Sequence, residues 1–348
     1  MTLLGQLGLR YPIIQAPMAG VQDCNLALAV SAAGGLGSLP AAMLSLAELR
    51  RSLTLLRESG LGPFNINFFC HHQCEPDPAA DRRWRQALAP YYAECGLSTD
   101  AVLTAPGRTP FNEEHTAILA EFKPVVVSFH FGLPDPALLG YVKSGGAKVL
   151  ASATTVAEAR WLSAHGADAI IAQGLEAGGH RGHFLSDDLS LQQGTFTLLP
   201  QIVQAVTLPV IATGGIVDGK GIRAALALGA SAVQMGTAFL CSTEATTSAL
   251  HREALHSGWG HHTALTNLFS GRPARGIVNR LMRELGPLSE LAPTFPHAST
   301  ALAPLRGAAE RRGSHDFSPL WAGQNRSGCR DLPAAELMAS WVQEAGLL

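Results

Sequence analysis

The chain has 348 residues, 47% of them hydrophobic and 15% charged, with a formal net charge of −2. That composition excludes a disordered chain, allows one large buried core, and argues against nucleic-acid or anionic-membrane binding. With no secretory leader in Met1–Arg10 and no apolar run long enough for a bilayer, the six cysteines read as reduced thiols and the cytoplasm is the expected location.

Pro12–Ala16 reads as a short apolar strand ending in the turn Pro17-Met18-Ala19-Gly20. A helical pattern over Leu26–Ala33 stops at Gly34-Gly35, followed by a strand at Leu36–Leu39 and a helix from about Leu46 to Glu58. Gly35-Leu36-Gly37 imitates a dinucleotide fingerprint, but it follows a helix and lacks the third glycine, so we reject it. Phe64–Phe69 alternates apolar and amide residues, which puts Asn65 and Asn67 on one strand face. Either amide suits a heterocycle's edge or a satisfied core site.

Residues 70–122 read as an insertion. Its Cys70-His71-His72-Gln73-Cys74 run has no second ligand pair at zinc-finger spacing, and no metal is assigned. A helix over Arg82–Ala89 is expected to stop at Pro90. Pro124–Phe129 is the next strand, ending at His130-Phe131-Gly132. Then come a helix at Pro136–Ser144, a strand at Lys148–Ala153, a helix at Thr155–His165 and a strand from Ala169. A helix at Leu198–Val206, a strand at Pro209–Ala212, a helix at Gly219–Leu228 and a strand at Ala232–Met235 complete the series. Eight strands alternating with helices predict a TIM (β/α)8 barrel over residues 1–241. Residues 242–348 read as a helical segment packing on the barrel, either a cap over its mouth or part of a homo-oligomer interface.

Active sites of such barrels lie at the C-terminal strand ends. Asp168–His183 carries Gly174, Gly178, Gly179 and Gly182 around Glu176 and His180, directly after a buried strand ending in Gln173. Glycines there let the backbone approach a flat or anionic ligand, which His180 can reach. A tight turn with a solvated histidine is the plainer reading. The loops after strands seven and eight hold Gly214-Gly215 and Gln234-Met235-Gly236-Thr237, whose backbone N–H groups and threonine hydroxyl suit a phosphate. One phosphate site without a dinucleotide fingerprint points to a mononucleotide or another small phosphate ester, not FAD. Met18, Asn67, Gln173 and Gly178 suit an isoalloxazine ring better than a sugar, although Met18 taken alone reads as a core gap-filler.

Gln15-Ala16-Pro17-Met18, Phe64-Asn65-Ile66-Asn67-Phe68, the run Gln173–His180, Ala212-Thr213-Gly214-Gly215 and Gln234-Met235-Gly236-Thr237 together resemble the nitronate monooxygenase family, formerly 2-nitropropane dioxygenases. Ser270-Gly271-Arg272-Pro273-Ala274-Arg275 and Trp321-Ala322-Gly323-Gln324 extend the likeness. The resemblance implies an FMN enzyme that oxidises alkyl nitronates with dioxygen to a carbonyl compound and nitrite. It implies that Asn67, Gln173, Gly178, Gly215 and Gln234, Met235, Gly236 and Thr237 bind FMN; Met18, Gly179 and Gly214 join them in the predicted cofactor site. His180 would be the catalytic base or the partner of an anionic substrate. His130 would be a second substrate-side group, or a packed rim histidine. An NAD(P)H-dependent quinone or enoyl reductase on the same barrel is the alternative. Relatives are expected to carry tyrosines and a lysine where this chain has Phe295, Ser299 and Ala303.

Overall fold

The computed structural model describes residues 2–99 and 108–348. Its strands are β1 (Ile13–Gln15), β2 (Gly37–Pro40), β3 (Phe64–Phe69), β4 (Val126–His130), β5 (Lys148–Ala153), β6 (Ala169–Gln173), β7 (Gly179–His180), β8 (Val210–Thr213), β9 (Ala232–Met235), β10 (Thr263–Thr266) and β11 (Ala274–Ile277). Eight of these pair in parallel in the order β1-β9-β8-β6-β5-β4-β3-β2. A parallel bridge between Ile14 and Leu36 joins the two ends, so the sheet closes into the expected TIM barrel.

Strand alternation sorts the side chains. Ile66, Phe68, Val127, Phe129, Val149, Ala151, Ile170, Ala172, Val210 and Val233 face the helices and build the outer core. At the bottom, the helix Leu3–Leu7 brings Leu3 and Leu7 against Ile14, Leu36, Val126, Leu150, Ala169, Ile211 and Ala232. That plug leaves only the C-terminal end of the barrel open to a ligand. Polar inward residues, Asn67, Ser128, Ser152, Gln173, Thr213 and Gln234, appear one layer above it.

Two expectations about helices need correcting. Pro90 does not end its helix: the helix runs Pro78–Cys95 with Pro90 inside. Proline removes one hydrogen bond from the turn before it, but tertiary packing outweighs that loss. Trp84, Leu88, Tyr91 and Tyr92 are buried against Leu302, Leu305 and Phe317 of the tail, and Trp84 Nε1 and Tyr92 OH donate to the carbonyls of Ala298 (3.1 Å) and Ala301 (2.6 Å). The second half of the 70–122 interval also contains a barrel helix, Glu113–Phe122, that the sequence reading missed.

The tail is not purely helical. β10 and β11 form an antiparallel ladder, and β11 pairs with β7, with Ala274 opposite His180 and Arg275 opposite Gly179. The last helix, Ala334–Ala345, packs between the helices Cys24–Ala32 and Gly219–Ala227, where the eighth barrel helix belongs. Trp341 is fully buried there with its ring 4.9 Å from that of Phe239, and the Glu344 carboxylate accepts from Gly219 N at 2.9 Å. Among the described residues, no helix is long and apolar enough to cross a membrane.

Candidate active site

One cavity opens at the C-terminal ends of the strands. It brings together Met18, Asn67, His130, Gln173, Gly178, Gly179, His180, Gly214, Gly215, Gln234, Gly236 and Thr237, nearly the whole predicted site. Met235 is the exception. In β9 Gln234 points inward, so its neighbour points out; Met235 is fully buried among the barrel helices with Ile13, Val233 and Phe239. Only its backbone serves the rim, its carbonyl accepting from Ala16 N at 2.8 Å.

The turn carrying Met18 is held by two buried amides. Gln22 Oε1 accepts from Met18 N and from Gln15 Nε2, both at 2.7 Å, and Gln22 Nε2 donates to the Ser38 carbonyl at 2.6 Å. Asn67 Nδ2 donates to Ser128 Oγ at 3.0 Å. Asn65 lies one layer deeper, donating to Ser38 Oγ at 3.0 Å, and does not line the cavity.

At one end of the cavity the glycine turns form a cradle. Gly214 and Gly215 have φ of +118° and +73°, a conformation glycine adopts without strain. Gly236 is different. Its φ of −112° suits any residue, and a Cβ there would meet nothing closer than Ala16 Cβ at 3.4 Å. Neither backbone nor protein packing requires glycine at 236, and the space beside it opens on the cavity. The tail completes this end: Gly323 N donates to Thr237 Oγ1 at 2.9 Å and Asn325 Nδ2 to the Gly215 carbonyl at 3.1 Å. Gly178 is needed for that closure, since a Cβ would lie 2.6 Å from Ala322 C. Glu176 accepts from Thr195 N and Oγ1, both at 2.8 Å, and so ties the glycine loop to the next helix.

At the other end His180 sits on β7, ringed by Phe295, Trp321, Phe69 and Phe131 at centroid distances of 5.5, 5.6, 6.1 and 6.1 Å. Its Nε2 is 2.8 Å from Ser270 Oγ, whose own contact to the Arg272 carbonyl is 3.2 Å. Assigning the single Ser270 proton to that carbonyl makes Nε2 the donor and leaves a lone pair on Nδ1. Burial first, then the Arg108 guanidinium, push the His180 pKa well below the ordinary histidine value, so the ring is neutral at pH 7.

His130 lines the cavity, but both its nitrogens are engaged. Nε2 meets the His180 carbonyl at 3.1 Å and must donate there, so Nδ1 accepts from Ser152 Oγ at 3.0 Å. Burial lowers its pKa to about 3, which fixes this neutral tautomer. Gln173 is likewise committed: Nε2 donates to the His180 carbonyl at 3.0 Å and Oε1 accepts from Gly182 N at 2.7 Å. Both residues hold the loop that carries His180. The next residue along from His130, Phe131, adopts φ +70°, a conformation that costs a bulky side chain roughly 1–3 kcal/mol. Its ring is held beneath the Arg272 guanidinium, 4.2 Å from the ring centroid.

Arg108 is a site residue the sequence reading missed. It lines the cavity 5.4 Å over the Phe295 ring, burial lowers its pKa, and its buried Nη1 has no partner among the described residues. Of the altered segment, Phe295 reaches this wall, stacking edge-on with His71 at 4.8 Å. Ser299 and Ala303 do not line the cavity. Ser299 Oγ donates to the Pro296 carbonyl at 3.1 Å just before the helix Ala298–Arg311, and Ala303 is exposed on that helix's outer face. His71 of the Cys70–Cys74 run is buried in the same wall, its Nε2 3.0 Å from the Arg108 carbonyl.

The cavity thus has a glycine cradle at one end and a neutral imidazole at the other. The sequence profile of the nitronate monooxygenase family matches residues 2–344. This chain belongs to the nitronate monooxygenase family. The nitronate monooxygenase of Pseudomonas aeruginosa is 46% identical over 344 residues, covering 97% of each chain. The structure of nitroalkane oxidase from Streptomyces ansochromogenes superposes with a TM-score of 0.89 at 39% identity, covering 99% of this chain and 97% of that one. FabK from Thermotoga maritima is more distant, with a TM-score of 0.72 at 28% identity over 99% of this chain and 96% of that one. Nitronate monooxygenases are flavin-dependent, and this cavity offers what a flavin needs. Besides the open space at Gly236, Gln234 lines the cavity with a buried Oε1 that has no partner among the described residues, an acceptor suited to a ring N–H.

Proposed function

We propose that this chain binds FMN and oxidises alkyl nitronates with dioxygen to a carbonyl compound and nitrite. The observation that carries the reading is the buried Arg108 Nη1, without a partner among the described residues, in the same aromatic wall as a neutral His180. A half-buried cation with no ion pair among the described residues favours an anionic substrate, and a nitronate is already deprotonated at carbon.

Gly214, Gly215, Gly236 and Thr237 would hold the phosphate, while Asn67 and Gln234 would pair with the ring's edge, with Met18 and Gly179 against its body. The flavin, when bound, supplies the electron transfer between nitronate and dioxygen. Arg108 orients the nitro oxygens, and His180 Nδ1 accepts or returns a proton at the substrate. Phe69, Phe131, Phe295 and Trp321 keep water from the reacting atoms. His130 and Gln173 fix the His180 carbonyl and hence the imidazole's position.

The NAD(P)H-dependent reductase alternative has weaker support, the 28% likeness to FabK. An oxygen electrode with parallel nitrite assay on the flavin-loaded protein tests the proposal. Oxygen uptake with nitrite release on adding propyl-2-nitronate is expected; neither product nor uptake would reject it.

A further inference from the structure

We propose that Cys241, His256 and Asp331 form a site for a soft divalent cation, Zn2+ by its ligand chemistry, that clasps the C-terminal tail to the phosphate end of the barrel. Ligand atoms of Cys241, His256 and Asp331 all lie within 4.8 Å of one another. The His256 Nε2 to Asp331 Oδ2 distance is 2.9 Å, near the edge of about 3.3 Å that two donors adopt on one zinc with bonds of roughly 2.0–2.1 Å. A water would complete the tetrahedral shell around these three protein ligands. One thiolate sulfur, one imidazole nitrogen and one carboxylate oxygen select zinc over magnesium or calcium, which want an all-oxygen shell.

The surroundings suit an ion. Cys241 is fully buried while His256 and Asp331 are exposed, so one side of the site is fixed and the other is open for entry. One thiolate and one carboxylate neutralise Zn2+, and Arg252 lies beside them. Its Nη1 is 3.5 Å from Asp331 Oδ1 and donates to the Cys241 carbonyl at 2.6 Å. The ligands come from three places: the turn after β9, the end of the helix Ala249–His256, and the tail. Cys329 Sγ contacts the Thr237 carbonyl at 3.2 Å, and Thr237 Oγ1 accepts from Gly323 N at 2.9 Å. A bound ion therefore orders the tail segment that closes the phosphate cradle.

The test is metal uptake by the flavin-loaded full chain, given one equivalent of Zn2+ or Co2+, desalted, and analysed for metal. About one ion per chain should remain. The Co2+ form should show intense d–d absorption in the red, clear of the flavin, as tetrahedral thiolate sites do. His256→Gln and Asp331→Asn, both at exposed positions that do not endanger folding, should each weaken retention by more than about 100-fold. Cys241→Ser should abolish it, whereas Cys74→Ser, at an exposed thiol elsewhere, should not change it. No retained metal, a weak octahedral cobalt spectrum, or retention indifferent to His256→Gln and Asp331→Asn would overturn the proposal. So would a thiol titration finding two fewer than the six cysteines, with Cys241 and Cys329 joined as a disulfide.

Discussion

His130 holds His180 by the backbone: its Nε2 donates to the His180 carbonyl at 3.1 Å, while Ser152 Oγ at 3.0 Å occupies Nδ1. A histidine with both nitrogens engaged positions its neighbour and has none left for substrate. His130→Ala should keep the flavin and the shape of the pH profile, and lose about 2- to 10-fold in kcat/KM, the worth of one hydrogen bond. His130→Gln, which can still donate to the carbonyl, should recover part of that loss. A far larger loss confined to KM would instead place His130 on the substrate.

Arg108 should act on the substrate's charge. Arg108→Met keeps the side chain's length over Phe295 but removes the cation. Nitronate KM should rise about 10- to 100-fold, the range of a charge-assisted hydrogen bond, with flavin content unchanged. Steady-state kinetics on a nitronate series checks this, and an unchanged KM would remove Arg108 from the anion site.

Gly236→Val separates ligand space from protein packing. The backbone at 236 tolerates a side chain, and a Cβ finds room. The variant should therefore fold with an unchanged circular dichroism spectrum but lose most of its bound flavin. Full flavin occupancy would show that the phosphate lies elsewhere.

The buried histidines predict an acid-sensitive fold. Burial lowers His71, His183 and His251 to about 4 and His130 to about 3, and lowers His180 well below the ordinary value. Each is depressed relative to the unfolded chain, where histidine titrates near roughly 6.5. Below that pH the unfolded state binds more protons, so the stability these groups contribute is fully present above about 6.5 and drains away as pH falls from there towards 4. Urea unfolding from pH 8 to 5 should show a flat plateau and then a steep decline. A midpoint constant down to pH 5 would contradict these environments.

Much of the barrel was legible because each strand is a short apolar run between turn signals. The cavity's polar rim was legible where glycine turns mark strand ends, as at Gly214-Gly215. The error at Met235 was avoidable: period-two alternation from Gln234 sends it outward. The same rule carries Asn65 and Asn67 on to Phe69, a lining residue left unread. Pro90 misled because a local breaker is outweighed by Trp84 and Tyr92 docking on a helix some 200 residues away in sequence. The pairing of β7 with β11 involves two residues and carries no periodicity, and Arg108 gains its meaning only from Phe295 and His180 packed around it. Cys241, His256 and Asp331 are likewise scattered in sequence and meet only in the fold.

In the proposed reaction this cavity passes electrons from a nitronate to the flavin. Anaerobic rapid mixing of the flavin-loaded protein with propyl-2-nitronate, and separately with NADH, measures that step. Rapid loss of the oxidised flavin's absorbance is expected with the nitronate, and little change with NADH over the same interval. Fast bleaching by NADH, with the nitronate inert, would contradict it and assign the chain to the reductases.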